Sequence, residues 1–143
     1  MYQLQNLKAV NLLHASYTSG ASATAAFDMN GFNEALITIK ATTSDSTSNN
    51  FSSCVLSESN DNTTFANITA SVGDTAWTIP DADTSSVQIF QFHIGDTGTR
   101  KRYIKLTLVP TTTQIITATA LLGRAGELPT TTTEQGVVSA VNV

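Results

Sequence analysis

The chain has 143 residues, enough for one domain by the usual span of roughly 100 to 200 residues per domain. Only 13% of them are charged, about half the ~25% of a typical soluble domain, and Thr and Ser together supply about a quarter, which excludes a coiled coil or a charged helical bundle. With 41% apolar residues and a net charge of -4, the chain is too hydrophobic and too weakly charged for wholesale disorder, and a pI near 4.8 argues against general nucleic-acid binding, which runs on phosphate neutralisation by Lys and Arg.

The segment Met1 to Lys8 has neither a basic stretch nor an apolar one of signal type, so synthesis in a cytoplasm is expected. No window approaches the roughly 18 consecutive apolar residues of a membrane-spanning helix, and no membrane partner is expected. Leu4, Leu7 and Val10 have near-helical spacing, which allows one short helical turn there. Thr24 to Asp28 reads as a strand. Asn30-Gly31 follows as a tight turn, since both residues tolerate positive φ, and joins the Phe27 strand to the next one. There Ala35, Ile37, Ile39 and Ala41 fall on one face and Thr38 and Lys40 on the other, the period of a half-buried strand.

Ser44 to Asn50 is wholly polar and reads as an exposed loop. Weaker strands are expected over Ser53 to Glu58, Thr64 to Ile68 and Ala76 to Ile79, with turns at Ser59 to Asn62 and at Pro80 to Asp83. Phe90, Phe92 and Ile94 alternate again, and in Arg102 to Val109 the residues Ile104, Leu106 and Leu108 face inward while Lys105 and Thr107 face outward. Ile115 to Leu122 completes the set. Seven or eight short strands separated by such turns describe an all-β fold: a single antiparallel β-sandwich or jelly-roll-like barrel over residues 1–128, with extended N- and C-terminal segments.

Residues 129–143 differ in character. A Thr-rich run from Pro129 to Gly136 precedes an apolar end with Val137, Val138, Val141 and Val143. It is either a frayed terminus or an arm that adds a strand to a neighbouring subunit; its β-branched content favours the arm.

No catalytic constellation is legible. His14 and His93 lie on separate strand-like segments without ligand or acid/base spacing, and His93 reads as structural or exposed. The single cysteine, Cys54, alternates with Leu56 as a small core residue and rules out both an intramolecular disulfide and a Cys-rich zinc site. Asp61, Asp81 and Asp83 lack the pattern of a calcium loop and read as turn formers. The sequons at Asn50, Asn62 and Asn67 carry no meaning without secretion, and Trp77 beside Ile79 reads as core rather than as a sugar platform. Neither an enzyme nor a cofactor or metal site is expected. Charge is more informative: Arg100, Lys101, Arg102 and Lys105 are four of the seven basic residues, forming either a solvated loop tip or a patch that meets an acidic surface on a partner.

Several segments, in order, resemble a known family: Met1-Tyr2 with Leu7; Gly31-Phe32-Asn33-Glu34-Ala35; Leu56-Ser-Glu58-Ser59-Asn60-Asp61-Asn62-Thr-Thr-Phe65; Gly98 to Lys105; and Leu121-Leu-Gly123-Arg124. The family is one of small tailed-bacteriophage virion proteins encoded near the major capsid protein, and the resemblance extends to about Pro129; the Thr-rich tail departs from the family's shorter terminus. The resemblance implies a capsid cement or decoration protein on the outer surface of the virion, bound to the major capsid protein and assembled there as a homo-oligomer, a dimer or trimer. Tyr2, Leu4, Leu7, Arg100, Lys101, Arg102, Val137, Val138, Val141 and Val143 are then the candidate contact residues. The alternative is a tail, fibre or neck module of the same fold that binds host-surface glycan.

Overall fold

The computed structural model describes residues 7–42, 51–72, 87–94 and 100–125. They form eight strands and no helix: β1 (Lys8–Tyr17), β2 (Ala23–Asp28), β3 (Phe32–Thr42), β4 (Phe51–Ser59), β5 (Ala66–Val72), β6 (Val87–Ile94), β7 (Tyr103–Pro110) and β8 (Gln114–Ala125). All pairings are antiparallel, in two four-stranded sheets with the orders β1-β8-β3-β6 and β2-β7-β4-β5. Strand 1 thus pairs with 8, 2 with 7, 3 with 6 and 4 with 5. That nesting is one long antiparallel ribbon wrapped on itself, the jelly-roll order of a β-sandwich. Every connection except the one between β4 and β5 crosses from one sheet to the other.

The alternation read from the sequence is what closes the sandwich. Ile37 and Ile39 of β3, Ile116 and Leu122 of β8, and Ile104, Leu106 and Leu108 of β7 are all fully buried. Facing residues of β3 and β8 are matched in size: Ala35 with Leu122, Ile37 with Ala120, Ile39 with Ala118 and Ala41 with Ile116. Each pair sets one large side chain beside one alanine, so the inner face stays level enough for the opposite sheet to pack closely on it.

Two expectations are corrected, and the tight turn between β2 and β3 is formed as expected. The helical turn through Leu7 and Val10 is not formed: Lys8 to Tyr17 is a strand paired with β8. Its alternation is masked because a bulge between Asn11 and Leu13 lets Val10 and Leu13 share the inner side although they are three residues apart, the spacing of a helix. The Asn30-Gly31 turn does link the two predicted strands, but they belong to opposite sheets. Phe32 N–H donates to the Met29 carbonyl at 2.8 Å, and Gly31 alone has positive φ (85°), the type II pattern, since no hairpin twist has to be matched. The strand expected from Thr64 begins instead at Ala66, because the Thr63 and Thr64 amides are taken by Asp61. The expected segments Ser44–Asn50, Ala76–Ile79 and Pro80–Asp83 lie outside the described residues.

Candidate functional site

Strand register places several distant segments at one end of the sandwich. Lys8 faces Leu122, Phe32 faces Ala125, Ala35 faces Ile94, and Tyr103 lies between Asp28 and Ser59. Leu7, the Met29–Phe32 turn, the loop from Asn60 to Phe65, the basic run from Arg100 and the exit of the chain at Ala125 therefore share that end.

The loop after β4 is built by one carboxylate. Ser59 Oγ donates to Asp61 Oδ1 at 2.6 Å, and the same oxygen accepts from the Thr63 and Thr64 amides at 2.9 and 2.8 Å. Asp61 N–H in turn donates to Ser59 Oγ at 3.2 Å, and Asn62 adopts the left-handed conformation (φ 57°) that Asn tolerates well. The Ser59 hydroxyl and then the Thr64 and Thr63 amides hold the Asp61 carboxyl far below the usual carboxylate range. This loop delivers Phe65 to the sheet, where Lys105 Nζ sits 4.2 Å from its ring centroid.

The basic cluster is engaged largely with its own fold. Arg102 forms a fork on Asp28, with Nη2 to Oδ2 at 2.7 Å and Nε to Oδ1 at 2.9 Å, and its carbonyl accepts from Met29 N–H at 2.8 Å. The hydrogen bond from Arg102 lowers the Asp28 pKa and raises that of Arg102. Arg100 Nη1 lies 3.4 Å from Glu58 Oε2, which also accepts from Lys101 N–H at 3.3 Å; the Glu58 side chain is only 15% exposed. Among the described residues, Lys101 is the one member of the cluster whose side chain has no partner, and it is half-buried. The segments Glu58–Phe65 and Arg100–Lys105 are thus two sides of one corner, knitted together across β4 and β7.

The remaining predicted contact residues divide. Leu7 is half-buried and packs over Gly123, its Cδ2 lying 3.4 Å from where a Cβ on that glycine would stand. Tyr2, Leu4, Val137, Val138, Val141 and Val143 lie outside the described residues, as does the arm they would form. Sequence reasoning missed Asp28 as the partner of Arg102; the two are 74 residues apart and only the β2–β7 register joins them.

Residues expected to be inert are kept apart. His14 and His93 are exposed on β1 and β6, the opposite edges of one sheet, three spacings of ~4.8 Å apart across it, and they are also out of register by four residues, roughly 13 Å along it. His14 Nδ1 lies 3.2 Å from Thr117 Oγ1. Cys54 is fully buried on the inner face of the other sheet, and burial pushes its thiol pKa well up. None of the three can reach another. At the opposite end, among the described residues, Ser19 Oγ donates to the Thr111 carbonyl at 2.6 Å and Gly20 N–H to that of Pro110 at 2.8 Å, tying two uncharged, hydroxyl-rich loops together.

In comparison with known proteins, the chain matches no protein-family model and no curated protein.

Proposed function

We propose that the protein is a structural virion component, a capsid cement or decoration protein that binds the assembled shell of the major capsid protein through the end of the sandwich just described. The observation that carries this reading is convergence: Leu7, the basic corner and the origin of the C-terminal segment were separate in sequence and share one end of the fold. The jelly-roll itself does not choose, since capsid domains and lectins both use it. The resemblance in the residues of that corner supplies the virion assignment.

On this reading the protein works by mass action. It binds the closed shell and not its dissociated subunits, and so shifts the equilibrium toward the shell. A homo-oligomer, dimer or trimer, on the outer capsid surface would repeat each modest contact by symmetry. Neither nucleic acid nor membrane enters the reading. The corner is a preformed platform, its loops already fixed by internal hydrogen bonds, so little ordering is left for binding.

The test is occupancy of purified particles. A shell component is present in numbers comparable with the major capsid protein, whereas a tail-tip module is present in a few copies, and the second result would replace this reading with the tail alternative.

A further inference from the structure

We propose that Asn30 is a site of spontaneous deamidation left open by the fold, and that its conversion loosens the corner that Asp28 and Arg102 hold. The reaction needs the next residue's backbone nitrogen as nucleophile. Gly31 N, losing its proton to base, attacks Asn30 Cγ; the bond from Cγ to the side-chain nitrogen breaks and ammonia leaves. Water then opens the resulting five-membered imide at either carbonyl, giving an aspartyl or an isoaspartyl residue.

The structure distinguishes Asn30 from the other turn asparagines by what each following amide does. After Asn60, Asp61 N–H is bound to Ser59 Oγ, and after Asn62, Thr63 N–H is bound to Asp61 Oδ1. After Asn30, Gly31 N–H has no partner among the described residues, nor does the Asn30 side-chain amide. Both residues are exposed, and nothing within 4 Å would meet even a Cβ placed on Gly31. The nucleophile is therefore unengaged, unhindered and wet.

The product would act on the corner. A new carboxylate at position 30 would sit two residues along the chain from Asp28, whose Oδ1 already accepts the backbone N–H of residue 30 at 2.8 Å and Arg102 Nε at 2.9 Å. An isoaspartyl link also adds a carbon to the main chain in the Met29–Phe32 turn, where the chain crosses between sheets. Charge repulsion and the longer turn both work against the Asp28–Arg102 fork.

The experiment ages the full chain, folded and in urea, in mildly alkaline buffer, and maps amide-to-acid conversion by peptide mass. The ratio of folded to urea rates isolates what the fold does from the intrinsic reactivity of an Asn-Gly pair. The expected result is a ratio several-fold higher at Asn30 than at Asn60 or Asn62, with isoaspartate at position 30 and a lowered melting temperature in the converted fraction. Asn30→Asp, which adds the charge without lengthening the chain, should lower the melting temperature less, and Asn30→Ser should not age at this turn. Equal suppression at all three asparagines, or an aged protein that melts like fresh material, would overturn the proposal. Neither outcome depends on shell binding.

Discussion

Asp61 shows how one carboxylate can hold a loop while fully exposed, because its oxygen accepts a hydroxyl and two amides at once. Its pKa and that of Asp28 are both lowered in the folded protein, by Ser59 and by Arg102 respectively. Depressed carboxylates bind protons more weakly folded than unfolded, so the stability they contribute is present above the unfolded value of about 4 and is lost as pH falls toward the folded values. The melting temperature should therefore hold near neutrality and fall below about pH 4. Asp61→Ala should lower it at neutral pH and flatten that acid limb; an unchanged acid limb would contradict the assignment. Cys54 offers a second residue-level check. Its thiol is fully buried with its pKa raised by desolvation, so a thiol reagent should label it at the rate of unfolding and not before. Cys54→Ser puts a hydroxyl where a thiol packed, and should cost roughly 1–3 kcal/mol in denaturant unfolding.

Among the strands, the size-matched ladder between β3 and β8 gives the sharpest expectation. Ile39→Ala should cost roughly 2–5 kcal/mol and Ala118→Ile roughly 1–3, the first by leaving a cavity and the second by overpacking. Because the two residues face each other, the double variant should recover part of the summed loss. Strict additivity would mean that the pair does not share its volume. This ladder was half legible in the sequence: the period of Ala35 to Ala41 named the inner face of β3, but the pairing of each isoleucine with an alanine needed the register of β8. The same limit explains other gaps. β1 was hidden by its bulge, whereas β7, with unbroken alternation from Ile104 to Leu108, needed nothing but its period. Four cations in six residues read as a solvated loop tip or a patch for an acidic partner, and only the fold brings Asp28 and Glu58 to them from distant strands. Cys54 needed only its alternation with Leu56 to be placed in the core.

At the scale of the molecule, the two ends of the sandwich differ in chemistry. Among the described residues, one end carries the charged corner, Leu7 and the end of β8 at Ala125, and the other carries the uncharged, hydroxyl-rich residues 18–22 and 111–113. The charged end faces the shell in the reading proposed above. Because Arg100 and Arg102 meet Glu58 and Asp28, reversing their charges would bring like charges together and disturb the corner itself. Lys101→Gln, which removes a charge without setting a new carboxylate beside Glu58, is the cleaner variant, and should weaken shell attachment with little change in melting temperature; with most of the corner's cations already engaged by its own side chains, added salt should weaken attachment only modestly. The central claim is the orientation, and hydrogen exchange on the free and shell-bound protein tests it most directly. Binding should slow exchange in residues 7–9, 29–31, 60–65 and 100–103 and leave residues 18–22 and 111–113 unchanged, whereas protection confined to the hydroxyl-rich end, or none anywhere, would contradict it.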